Sequence, residues 1–245
     1  MQERYLGDIH DYFKFLFLKH ISSCLKTKIG LNWYLVDPNE IGKREIEKND
    51  GEKRTFFNKP KFKNLDRQII KELLLLRKKS SRKIFLFTKS SHLRFHINFY
   101  NNRLHFKNRE KWFDNSMKYF KNESIIFLDP DNGFKENYSG AYSLKYVLKD
   151  ECHKLLKKNK IVIFTQFQSF NKDHKIYLYE IFKNLSKLDL RPTYPIIRNR
   201  TAPNTFYITL VPKNSLIDLK KIYENYQLKN ENIELIKSFD FSSKD

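Results

Sequence analysis

Ser124-Ile125-Ile126-Phe127-Leu128-Asp129-Pro130-Asp131-Asn132-Gly133 is the stretch that decides how this chain folds. Four apolar residues in a row, Ile125 to Leu128, make a short strand buried on both faces, the pattern of a central parallel strand. The next five are turn formers, yet they set two carboxylates at i and i+2 directly after the strand. Outward from it, residues 109–121 read as a helix before the strand. Residues 143–157, with Leu144, Val147, Leu148, Leu155 and Leu156, read as a helix after it, and 160–164 as the next buried strand. Towards the N-terminus, 3–28 is helical, with Leu6, Ile9, Phe13, Leu16, Phe17 and Ile21 at helical spacing and Gly30 to end it. A strand over 31–36 follows, broken by Asp37-Pro38. Residues 37–63 read as a long loop holding the turn Asn49-Asp50-Gly51, then 65–79 as an amphipathic helix, and 83–88 and 104–107 as strands. Towards the C-terminus, 175–187 and 215–227 read as helices, with strands over 194–197 and 205–211 between them.

Strands alternating with helices of roughly 10–15 residues imply a parallel sheet covered on both faces. The expected class is α/β: a Rossmann-like three-layer fold, mostly parallel, with an antiparallel edge strand. It occupies one domain over 1–230 with an inserted loop at 37–63, and 231–245 forms a C-terminal tail. Ligands of such sheets sit outside the carboxyl ends of the strands. The predicted ends carry Asp37, Glu40 and Asp50, then Asp129 and Asp131, then Thr165, Gln166 and Gln168, so three strands converge on one polar edge.

Composition narrows the partner. Lys and Arg number 48 against 28 Asp and Glu, a formal charge of +20, which concentrates polyanions at the surface. Nucleic acid is the expected partner, because phosphate neutralisation releases counterions. A coding bias toward Lys, Asn, Ile and Phe produces the same excess, so charge alone does not choose between them. Arg198 and Arg200, between two predicted strands, and Lys107 and Arg109 in a dense basic segment are the candidate phosphate contacts. An apolar share of 40% excludes a disordered chain. No run approaches the roughly 18 apolar residues of a membrane span, and Met1 to Tyr5 lacks a signal pattern, so a cytoplasmic location is expected. Cys24 and Cys152 are too few for a disulfide framework.

Asp129 and Asp131 have the spacing to hold a hard cation through oxygen ligands. Gly7-Asp8-Ile9-His10-Asp11-Tyr12-Phe13-Lys14 places Asp8 and Asp11 on one helix face with Lys14 three residues on. Acids in a first turn also favour the helix dipole, which accounts for Asp8 without function. His92 and His96 stand at i, i+4, with His105 beyond them, but no HExxH pattern accompanies them. Cys152-His153 reads as a helix-surface pair. No GxxxxGK[ST] or GxGxxG is present. Phe95, Phe99, Tyr100 and Tyr119 have the chemistry of a base-stacking platform, though aromatics this abundant are more often core.

The set Gly7-Asp8, Asp11-Tyr12-Phe13-Lys14, Asn32-Trp33-Tyr34-Leu35, Asn49-Asp50-Gly51, Phe127 to Gly133, Lys145-Tyr146-Val147 and Asp150-Glu151 resembles a widespread bacterial family of about this length. That family carries GDxxDYFK, NDG and FLDPDNG motifs on a methyltransferase-like Rossmann outline. The resemblance covers about 1–170, and 205–211 through a late strand. It implies that Asp129-Pro130 stands where amino-methyltransferases keep an Asp-Pro-Pro-aromatic clamp. Here Asp131 and Asn132 follow instead. Asp37-Pro38-Asn39-Glu40 also replaces the glycine-rich turn expected after the first strand.

The leading expectation is a metal-dependent nuclease, in restriction or phage defence. Asp129 and Asp131 would bind magnesium, with Asp50 or Asp11 as a further ligand and Asn132 in the catalytic set. Lys145 or Lys14 would offset the charge of the phosphorane. The alternative is a nucleic-acid modifier using S-adenosylmethionine. The second alternative is a non-catalytic nucleic-acid-binding module.

Overall fold

The strands, in chain order, are β1 (Ile29–Asn32), β2 (Ile97–Tyr100), β3 (Ile125–Leu128), β4 (Gly133–Lys135), β5 (Tyr146–Leu148), β6 (Ile161–Phe167), β7 (Pro192–Asn199), β8 (Thr205–Leu210) and β9 (Ile233–Ile236). They belong to a computed structural model that describes residues 1–48, 56, 66–136, 140–169, 171–201 and 203–238. Seven of them form one sheet in the order β2-β1-β3-β6-β8-β7-β9, while β4 and β5 pair separately. The first four run parallel, with Leu31 opposite Phe127 and Phe127 opposite Ile163. The β6–β8, β8–β7 and β7–β9 pairs are antiparallel. The expected Rossmann-like α/β fold is the one observed.

The helices are α1 (Ile9–Leu25), α2 (Pro38–Ile41), α3 (Lys43–Ile46), α4 (Arg67–Leu74), α5 (Ile84–Ser90), α6 (Arg109–Tyr119), α7 (Lys149–Lys157), α8 (His174–Lys187) and α9 (Lys220–Leu228). Strand side chains alternate between two apolar layers. Leu31, Ile125, Phe127, Ile161 and Ile163 pack with α1, α4, α5 and α9. Ile126, Leu128, Val162 and Phe164 pack with α6, α7 and α8. No helix among the described residues is long and apolar enough to cross a membrane.

Several expectations are corrected. Residues 84–90 are helical, because Ile84, Phe87 and Thr88 are buried at i, i+3 and i+4 while Phe85 and Leu86 are exposed. A short apolar run does not reveal its period until its buried face is known. The strand expected at 104–107 lies instead at β2; Leu104 is tied to the loop after β1 by its N–H donating to the Leu35 carbonyl at 2.7 Å. The helix expected over 143–157 is interrupted by β5, whose pairing with β4 outweighs local propensity. The terminal helix starts at Lys220, and β9, placed in the tail by sequence, completes the sheet. Within 37–63, α2 and α3 are ordered elements; Asn49-Asp50-Gly51 lies outside the described residues.

Gly30 does not end α1. That helix closes at Lys26, whose left-handed backbone (φ 52°) caps it. Gly30 sits inside β1 because a Cβ there would stand 2.7 Å from Ile126 Cδ1 and 2.8 Å from the Phe120 ring. The substitution Gly30→Ala is therefore expected to lower unfolding free energy by about 1–3 kcal/mol through overpacking. Urea denaturation at unchanged m-value checks it.

Candidate functional site

The strand order reverses between β1 and β3: the chain leaves β1 for β2 on one side and returns to β3 on the other. Ligands of open α/β sheets bind at such a switch point. Here the Asp129 N–H donates to the Asn32 carbonyl at 2.9 Å, extending the β1–β3 ladder by one residue and setting the Asp129 carboxylate at the carboxyl edge.

The N-terminus of α1 meets that edge. Asp8 caps the helix, accepting from the N–H groups of His10 at 2.9 Å and Asp11 at 3.1 Å. Gly7, in the positive-φ region (84°), donates its N–H to Asp11 Oδ2 at 2.6 Å. This fixes the first turn so that Lys14, one turn on, reaches back. Lys14 Nζ lies 2.5 Å from Asp11 Oδ1 and 2.6 Å from Asp129 Oδ2, and all three side chains are buried. It also stands 4.6 Å from the centre of the Trp33 ring. Thr165 donates to the other Asp129 oxygen at 3.3 Å. Burial alone would lower the Lys14 pKa, but the Asp11 and Asp129 charges and hydrogen bonds hold it up at about 12. Burial pushes the Asp129 carboxyl upward, against the pull of Lys14.

A second hub lies beside the first. Asp131 Oδ1 pairs with the Met1 ammonium at 2.9 Å, and Oδ2 accepts from Gln2 at 3.1 Å with Lys145 Nζ at 3.9 Å. Burial works to raise the Asp131 pKa, but the Met1 and Lys145 charges bring it below the usual carboxylate value. Lys145 pairs more closely with Glu45, at 2.9 Å, and Glu45 also takes Gln2 at 2.8 Å, Arg4 at 3.2 Å and Lys48 at 3.1 Å. These contacts bring Glu45 to a pKa of about 2 in spite of its burial.

A cavity of about 470 Å³ opens over both hubs, its lining including Asp11, Lys14, Asp129, Asp131, Asn132 and Lys145. The six residues that sequence nominated as catalytic thus converge on one place. The rest of the lining includes Tyr5, Asp8, His10, Lys48, Pro130, Phe167, Gln168 and Pro203. His10 and Phe167 meet edge to face, with ring centres 5.2 Å apart. Gln166 holds the turn in shape, accepting from the Phe134 N–H at 2.9 Å and donating to the Asn132 carbonyl at 3.3 Å.

Magnesium does not fit this carboxylate set as it stands. The position between Asp11 and Asp129 is filled by an ammonium, and Asp131 faces two more. No group of three His, Cys, Asp or Glu side chains gathers to hold a metal among the described residues; Asp50 lies outside them. S-adenosylmethionine fits no better. Trp33 and Tyr34 fill the space after β1, both fully buried, and the cavity takes none of its lining from that loop.

The basic candidates separate. Arg109 is buried, bound to Glu151 at 2.8 and 2.9 Å and to the carbonyls of Ser143 and Tyr146 at 2.9 and 2.6 Å. Tyr34 donates to the same Glu151 at 2.7 Å. Arg198 pairs with Glu234 at 2.7 Å across β7 and β9. Both therefore brace the fold rather than face a phosphate. Lys107 and Arg200 are exposed, although Arg200 also donates to the Glu231 carbonyl. The histidines do not converge: His92 pairs with Glu72, His96 with Ser22 and His105 with Glu40. Cys152 is buried, and burial pushes its thiol pKa up. Of the aromatic quartet, Phe95 and Tyr119 are exposed while Phe99 and Tyr100 are core.

Sequence reasoning missed Glu45, Gln2, His10 and Phe167. Glu45 meets Lys145 across 100 positions, and no local pattern marks such a pair. Comparison with known proteins adds no relative: no family model, no curated protein and no solved structure matches the chain.

Replacing Lys14 by Met would leave two carboxylates buried without their cation, an expected loss of about 3–5 kcal/mol at neutral pH. Chemical denaturation of Lys14→Met checks it. The Glu45 carboxyl is held below its ordinary value, so its stabilisation is full above about pH 4.5 and is lost as pH falls toward about 2. The stability gap between wild type and Glu45→Gln should therefore narrow over that window. A gap that stays constant there would refute the assignment.

Proposed function

We propose that the chain is a nucleic-acid-binding protein that receives a single unstacked nucleotide in the cavity at the carboxyl edge. The observation that carries this reading is the composition of the cavity wall. Phe167, His10 and Tyr5 offer ring faces and edges, and Asn132 and Gln168 offer amides. Aromatic faces accept any base, and amides pair with base edges. The volume of about 470 Å³ suits a ligand of that size. The +20 charge supplies the attraction that brings a polyanion to the surface. In this reading the Lys14 and Glu45 hubs are the rigid floor of the pocket, and neither carboxylate cluster carries a reaction.

The test compares a single-stranded oligonucleotide with a blunt duplex, by fluorescence anisotropy. Base–aromatic stacking of about 1–3 kcal/mol predicts that Phe167→Ala weakens the single strand by roughly 5- to 150-fold and spares the duplex. An unchanged single-strand affinity in a folded variant would reject the pocket. A parallel melt with magnesium decides the chemistry: stabilisation that disappears in Asp131→Asn would return the protein to metal-dependent hydrolysis.

A further inference from the structure

The cavity admits one nucleotide, and a strand that delivers it needs a track for its backbone. Helices α6 and α7 border a groove that supplies one. Both start at the carboxyl edge of the sheet, since each runs antiparallel to the parallel strands it connects. On α6 and the residues before it, Lys107, Lys111, Asp114 and Lys118 stand at i, i+4, i+7 and i+11 and line one surface hollow. Between α6 and α7 lies a second hollow of about 550 Å³, lined by Lys107, Glu110, Asp150, His153, Lys154 and Lys157 among others.

The charges along these two adjoining hollows, which share Lys107 and Glu110, do not cancel. Lys154 crosses from α7 to Glu110 at 3.1 Å and Asp114 at 2.9 Å, so one lysine is shared by two acids of α6. Arg109 and Glu151 satisfy each other on the floor. Lys107, Lys111, Lys118 and Lys157 remain exposed, with no carboxylate within ion-pairing distance among the described residues, and Asp150 is the acid left beside them. The floor is also tied, through the interior, to the segment that carries Lys145. Arg109 donates to the carbonyls of Ser143 and Tyr146, which bracket Lys145 in the cavity wall.

We infer that the basic surface formed by the hollow on α6 and the α6–α7 groove beside it holds the phosphate backbone of a nucleic-acid strand whose nucleotide enters the carboxyl-edge cavity. The inference rests on the nucleic-acid reading above. Lysines spaced one and two turns apart along α6 and the residues before it offer point charges to successive phosphates without reading sequence. A lysine stem is long and flexible, so an exposed ammonium group can adjust to an irregular strand.

The experiment measures oligonucleotide affinity of the full chain over a salt series. One variant carries Lys107→Gln, Lys111→Gln, Lys118→Gln and Lys157→Gln. A control carries Lys71→Gln, Lys89→Gln, Lys220→Gln and Lys221→Gln, four exposed lysines on the other helical layer. At about 0.7–0.9 per phosphate contact, the groove variant should reduce the slope of log K against log salt by about 3, and the control by less than about 1. Equal losses in the two variants would mean a diffuse field and would overturn the groove. Wild-type binding with an unchanged slope in the groove variant would overturn it as well, leaving the nucleic-acid reading intact. A wild type that binds no oligonucleotide at low salt would remove the underlying reading. Groove-dependent capture on anionic phospholipid vesicles in its place would reassign the face to a membrane surface.

Discussion

The ammonium of Lys14, set between Asp11 and Asp129 and over the face of Trp33, is the contact on which the arrangement of the carboxyl edge depends. An isolated buried charge is unaffordable in an apolar interior, and a buried pair survives only with close geometry and further hydrogen bonds. Both conditions are met. The Gly7 N–H takes the second Asp11 oxygen and the Thr165 hydroxyl takes the second Asp129 oxygen. The cluster thereby joins the first turn of α1 to the ends of β3 and β6, both more than a hundred positions further along the chain. It fixes where the helix enters the sheet and, with that, where the cavity lies.

The Glu45 hub repeats the device with different partners. One carboxylate gathers Lys145, Gln2, Arg4 and Lys48 and anchors α3 to the N-terminal segment and to the residue before β5. The Tyr34–Glu151–Arg109 group does the same between the loop after β1 and the start of α7. Three buried ion-pair groups, centred on Lys14, Glu45 and Glu151, thus serve as junctions at one edge of the sheet. This explains why a Rossmann-like scaffold with acids at the usual ligand position offers so little open coordination: its acids are occupied in holding loops together.

Charge is therefore divided between two roles. Inside, cations and carboxylates are matched closely enough to satisfy one another. Outside, the positive excess is left over, and along α6 and α7 exposed lysines border two surface hollows. In the proposed nucleic-acid reading, the aromatic cavity wall takes the base and the exposed lysines take the phosphates, while the interior pairs contribute only rigidity.

Much of this was legible in the sequence. The apolar run Ile125 to Leu128 followed by turn formers required a buried parallel strand ending on carboxylates, and Asp8, Asp11 and Lys14 followed from helical spacing. The α/β alternation, and with it the sheet, followed from the periodicity of α1, α6 and α8 and the runs of β3 and β6. What local pattern left undecided was settled by contacts between distant segments. Ile84 to Ser90 became a helix because the interior needed Ile84, Phe87 and Thr88 on one side. Ile233 to Ile236 became a strand because β7 offered an unpaired edge. Asp129 and Asp131 became partners of ammonium groups because folding brought Lys14, Met1 and Lys145 to them. The sequence by itself determined which residues carry charge and which carry the core, because periodicity and composition are local. Only the tertiary structure decided which charges neutralise one another and which stay open to a partner, because that depends on distances between groups a hundred residues apart.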